Sequence, residues 1–192
     1  MALVDRVQTI LLRPRQEWPV IDKEEATVSR LYQSYVGPLA AIGPIANVIG
    51  IAVFGVSVPL VGAVRASLGS TVVSGVISWI LALVGVYVLA LIIDYLAPNF
   101  GGTRSQIQAF KVAAYSSTAQ WVVGIFLLVP ALSILSILGL YSLYLLYLGL
   151  PVLMRVPQER AVTYVVAIVV VGIVIAIVIG AVVGAATAAL VF

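Results

Sequence analysis

Charged residues divide this chain into four stretches that contain none: Leu31 to Val64, Ala66 to Ile93, Val112 to Met154 and Ala161 to Phe192, of 34, 28, 43 and 32 residues. A helix needs about 20 apolar residues to cross a hydrocarbon core about 30 Å thick. Ordinary soluble domains carry roughly 25% charged residues, whereas here the figure is 9% and the mean hydropathy is +1.22. No soluble surface can be built from so few charges. The chain is an integral membrane protein, and its charges mark where it leaves the bilayer.

The 43-residue stretch is too long for one crossing. It fits two helices joined by a tight turn near Pro130 to Ser133, where proline ends one helix and serine can cap the next. The expected spans are then 36–58, 69–93, 112–130, 133–154 and 162–185. Positive charge collects on the cytoplasmic side of short loops, which tests that count independently. With five spans, Arg6, Arg13, Arg15, Lys23, Arg30, Arg104, Lys111, Arg155 and Arg160 fall on one side and only Arg65 on the other. Were the long stretch crossed once, Arg155 and Arg160 would join Arg65 and the division would fall from 9:1 to 7:3. The expectation is an all-α polytopic membrane bundle of five transmembrane helices, residues 34–192, in the inner (cytoplasmic) membrane with the N-terminus inside and the C-terminus outside.

Residues 1–33 form a separate cytoplasmic segment in this reading. At 100° per residue Leu3, Val4, Val7, Ile10 and Leu11 share one face and Asp5, Thr9 and Arg13 point away, which predicts a short amphipathic helix in the headgroup plane or under the bundle. Pro14 is expected to stop it, Trp18 to sit at the interface, and Asp22 to Glu25 to continue as a solvated helix. Asp5, Arg6, Arg13 and Arg15 leave too short an apolar run for a cleaved signal peptide.

With no Cys and no His, thiolate and imidazole catalysis, disulfides and the usual zinc sites are excluded. Nothing calls for a cofactor, a metal or a nucleic acid, and the expectation is that the protein is not an enzyme. Inside the bilayer, small residues let helices approach. Ser70, Ser74, Ser78 and Ala82 form one row at spacing four, and Gly172, Ala176, Gly180, Gly184 and Ala188 another, for packing within the chain or for a homodimer. Asp94 is the sole carboxylate beside a span, either a helix-terminal residue or a proton or cation site. Arg104 lies in the loop that follows it, where Ser105 and Gln108 have capping-box spacing. Tyr115, Gln120 and Tyr144 could line a polar seam between helices three and four.

Four blocks carry a resemblance: Ile10-Leu11-Leu12-Arg13-Pro14-Arg15-Gln16-Glu17-Trp18-Pro19-Val20-Ile21; Phe100-Gly101-Gly102 with Gln108-Ala109-Phe110-Lys111; Ala114-Tyr115-Ser116-Ser117-Thr118; and Gly139 through Pro151 with its Tyr141, Tyr144 and Tyr147. Through them the chain resembles the Yip family of five-span membrane proteins, named for interaction with Ypt/Rab GTPases, and specifically its bacterial branch. The resemblance implies five spans and a cytoplasmic N-terminus, and for eukaryotic members vesicle trafficking, membrane shaping and recruitment of prenylated GTPases. It brings no catalytic residue. Ala119 stands where the family pattern has Pro, so a kink in helix three is not implied. Two functions are expected: a scaffold that recruits protein partners on the cytoplasmic face, or a small transporter, channel or lipid-translocating protein.

Overall fold

The computed structural model describes residues 2–58, 62–64 and 67–191, with side chains described outside 56–66 and 179–191. Two short helices come first, α1 (Leu3–Leu12) and α2 (Pro14–Lys23). Helix α3 runs Val28–Phe54, a three-residue hairpin of β1 (Val56–Val58) against β2 (Gly62–Val64) follows, and α4 spans Leu68–Leu96 with a 3-10 turn to Phe100. Next come α5 (Gln106–Ser116) and α6 (Thr118–Val123), the latter extended by a 3-10 segment Gly124–Leu128. Helix α7 covers Pro130–Leu153, 3-10 as far as Leu140, and α8 covers Gln158–Val191. The class is all-α, and four of the described helices, α3, α4, α7 and α8, are long and apolar enough to cross a membrane.

The expected span 112–130 is the exception. It is broken at Ser117, although no proline is present there. Ser116, Ser117 and Thr118 supply the cause: their hydroxyls donate to the carbonyls of Ala113, Ala113 and Tyr115, and such back-bonding competes with the helical ladder and bends it. Helix α3 is interrupted for a related reason. Pro38 has no N–H for the carbonyl of Ser34, and the backbone widens into a π turn at Tyr32–Val36, with the Gly37 N–H on the Tyr32 carbonyl.

Contacts along α3 set the directions of its neighbours. The Trp79 indole N–H donates to the Gly37 carbonyl at 3.0 Å and Gly75 lies against Val48, so α4 returns antiparallel. Tyr35 meets Thr118 at 2.7 Å, Gly43 meets Gly124, and Gly50 meets the carbonyls of Leu127 and Leu128, so the 115–128 segment runs parallel to α3 over its middle and far parts. A Cβ on Gly124 would sit 2.9 Å from the Gly43 Cα, closer than real Cβ contacts come. These glycines are the ones that bring backbones together.

The core is continuous from the N-terminus inward. Ile10, Trp18 and Ile21 share one buried cluster with Phe110, Ala113, Leu145 and Leu150. Pro14 stops the first amphipathic helix as expected, α1 ending at Leu12. It opens α2 at the first-turn position, where its missing N–H costs nothing. Trp18, expected at the headgroups, is fully buried against the Gly149 backbone. The charged run from Asp22 is not a solvated helix either, since α2 stops at Lys23 and both Asp22 and Glu24 are paired.

Candidate functional site

At the end of the bundle that carries α1 and α2, buried charges hold separate chain segments together. Lys111, in the second turn of α5, is only 3% exposed. Its ammonium donates to the Ile21 carbonyl at 2.9 Å and also to those of Asp22 and Glu24. A helix leaves its last carbonyls without intrahelical partners. Lys111 satisfies those of α2 and places positive charge at the negative end of its dipole. Burial pushes the Lys111 pKa below its ordinary value, against the pull of Asp22 and Glu24.

Arg6 plays the matching part on α1. Its guanidinium is bonded to both Glu17 and Glu24, with Arg6 at 6% exposure and Glu17 at 3%. Burial disfavours its charge, but Glu24, Tyr115 and Glu17 outweigh that and raise its pKa. The guanidinium also lies 5.7 Å from the centroid of the Tyr115 ring, which packs on Tyr35 at 4.6 Å and edge-on to Trp18 at 6.4 Å. Asp22 completes the brace by accepting from the Gln108 amide at 3.1 Å and from Arg155 at 2.8 Å. A cavity of about 360 Å³ bordered by Arg6, Glu24, Arg30, Ser34 and Tyr35 opens beside it.

The 97–105 loop is tied to the same end. Gly101 has a φ of 79° that favours glycine, and a Cβ on Gly102 would fall 2.7 Å from the Met154 carbonyl oxygen. Thr103 N–H donates to that carbonyl at 2.9 Å. This glycine pair is a docking turn. Asp94 and Arg104 form an ion pair at 3.1 Å, with Arg104 also over the Tyr95 ring. The capping box expected at Ser105 does not form: Ser105 makes no side-chain cap, and Gln108 is spent on Asp22.

A larger cavity lies elsewhere, in a cleft of about 810 Å³ between α3, α4, α6 and α7. Its polar lining consists of Asn47, Ser78, Gln120, Ser136 and Ser142, with Trp121 among its walls. Among the described residues no charged one borders it.

The sequence-selected residues therefore occupy separate places. Asp94 and Arg104 are joined, Tyr115 belongs to the Arg6 cluster, Gln120 lines the cleft, and the Tyr144 ring lies tilted against that of Tyr141 at 5.3 Å beside the Arg13–Gln16 turn. They form no single seam. Ser70 bonds Ser67, Ser74 is exposed and Ser78 faces the cleft. A Cβ on Gly172 would meet nothing within 4 Å and Ala176 is exposed, while Gly180 and Gly184 lie beyond the residues whose side chains are described. Arg65 also falls outside the described residues. Sequence reasoning used Lys111 and Arg6 to count charge across the membrane and assigned Glu17 no role. The signal that could have found the cleft was there: Gly43, Asn47 and Gly50 share one helical face.

The Yip1 domain family model matches residues 9–179, nearly the whole chain. No curated protein and no solved structure matches it. The chain belongs to the Yip1 domain family.

Proposed function

From that membership we propose that the protein is a non-enzymatic membrane scaffold that presents its α1–α2 face to a protein partner in the cytoplasm. The observation that carries this reading is the brace around Lys111 and Arg6, which locks two N-terminal helices onto the bundle and leaves their outer side chains free. Leu12 is 79% exposed, and Val4, Val20, Arg13, Arg15 and Gln16 are exposed with it. Removing residues 1–18 would also remove Arg6, Glu17 and Trp18 from the core, so surface changes make the cleaner test. Proteins co-purifying with the L12D/R13E/R15E variant from native membranes are expected to fall away. An unchanged partner set overturns the reading.

We further propose five crossings of the inner membrane, with the N-terminus inside and the C-terminus outside. The parallel course of α3 and the 115–128 segment supports a third crossing despite its break, because spans one and three of a five-span chain run in the same direction. Gly172, where a Cβ would have open space, and exposed Ala176 would be available to a second copy in a homodimer. The chain has no Cys, so single cysteines at Ser29, Ser67, Ser105, Ala131, Gln158 and Val191 can be probed with an impermeant thiol reagent. Labelling from outside is expected at Ser67, Ala131 and Val191 alone; labelling at Gln158 contradicts the topology.

A further inference from the structure

The cleft between α3, α4, α6 and α7 is wide and polar, with Asn47, Ser78, Gln120 and Ser136 all exposed along it and no charged residue among its described lining. Asn47 lies seven residues before the end of α3 at Phe54, and Ser78 ten residues after the start of α4 at Leu68. At 1.5 Å per residue this places them about 10 and 15 Å below the hairpin end, within a hydrocarbon core about 30 Å thick. Carboxamides are costly there unless hydrogen-bonded. Yet Asn47, Ser78, Ser136 and the Gln120 carboxamide have no side-chain hydrogen bond among the described residues, and only Ser142 has a partner, the Gln120 N–H at 3.1 Å. Two unpartnered amides from different helices share one cavity, whose walls include Pro44, Leu127 and Leu143.

We propose that this cleft binds a neutral lipid-type amphiphile, an apolar chain or pair of chains bearing an uncharged hydroxyl or ester group. Amides and hydroxyls both donate and accept, which suits a group of that kind. A phosphate or ammonium head would find no counter-charge there, since among the described residues no Lys, Arg, Asp or Glu borders the cavity. Apolar walls around a few convergent polar groups are the usual form of a small-molecule site. The cavity of about 810 Å³ lies within the roughly 300–1,000 Å³ range of such sites.

The test uses the full-length protein in phosphatidylcholine nanodiscs containing a diazirine-bearing diacylglycerol, compared with a phosphatidylglycerol carrying the same chains. Photolabelling within residues 120–143 is expected from the diacylglycerol in clear excess over the phosphatidylglycerol. Unlabelled diacylglycerol or a polyprenol should compete, and the better competitor identifies the head. N47L/Q120L should reduce labelling by roughly tenfold, the factor expected when about 1.4 kcal/mol of hydrogen bonding is lost. Ser78→Phe, which fills the cleft from a different helix, should reduce it too, with both variants checked for an unchanged elution profile. Equal labelling by the two probes, no competition, or labelling unaffected by both variants overturns the proposal. So does efficient disulfide dimerisation of a Ser78→Cys protein, which would show a second copy covering the cleft.

Discussion

At the charged end, Lys111, Arg6, Glu17, Asp22 and Glu24 are bonded to one another or to helix-terminal carbonyls, whereas in the cleft Asn47 and Gln120 make no side-chain bond to a described residue. The charged groups are the more costly to bury, and each of these five is paired, although Trp18 Nε1 and Gln108 Oε1 at the same end are buried with no partner among the described residues. The neutral groups are left open. Polar residues at the first end hold the chain together, and those at the second are free for something outside it. The difference separates a structural use of polarity from a binding use, and substitutions at the two ends should differ accordingly.

The largest effect should follow from breaking the buried pair. Arg6→Met leaves Glu17 charged, buried and without its partner, a change that costs about 3–5 kcal/mol. Thermal unfolding of the purified protein in detergent should show it, and Arg6→Met/Glu17→Met should recover most of the loss, because the orphaned charge rather than the missing pair dominates. A single variant as stable as the parent would mean the brace holds nothing. Lys111→Met should cost less, about 1–3 kcal/mol, the penalty for leaving buried acceptors unsatisfied. Its signature is local: faster hydrogen exchange across residues 14–24, where α2 frays, with α8 unaffected.

Backbone approach offers a comparison within the apolar part. Gly124→Val would put side-chain atoms where the Gly43 backbone lies, and overpacking of this kind costs about 1–3 kcal/mol. Gly172→Val should be silent in the same assay, since a Cβ there has open space. If Gly172→Val proves the more damaging of the two, α8 packs against something outside the described contacts, with a second copy the first candidate. The Asp94–Arg104 pair should matter least among the charges. Arg104 is 58% exposed at its side chain, and exposed pairs contribute about 0–1 kcal/mol.

These cases also show which parts of the structure were legible in the letters. Four apolar spans and the break at Pro130 follow from hydropathy and proline alone, because lipid forces every backbone bond inward. The third span was mistaken for a single helix because its break comes from three hydroxyls, Ser116 to Thr118, which composition treats as small and harmless. Small-residue rows at spacing four were visible at Ser70–Ser78 and Gly172–Gly184; among the residues whose side chains are described, which leave out Gly180 and Gly184, close contacts fall at Gly43, Gly50, Gly124 and Gly149. A row identifies a face that can be approached, but the partner's shape decides whether it is. Lys111 was counted as a loop charge. Its role depends on where α2 ends in space, and no local pattern encodes that.

The smallest effect is expected in the cleft, and its sign is informative. Asn47→Leu removes an amide with no protein partner from a position within the bilayer. If the cleft were part of the structural scaffold, losing the amide would destabilise the bundle as losing Lys111 does. If its amides are held open for a ligand, the delipidated protein in detergent should be unchanged, because the exposed Asn47 amide makes no bond to a described residue that leucine would forfeit. Adding diacylglycerol should then raise the unfolding temperature of the parent and not that of Asn47→Leu, since a ligand stabilises only the state that binds it. A destabilised Asn47→Leu protein with no response to lipid would place the amide with the structural polar groups and erase the contrast between the two ends.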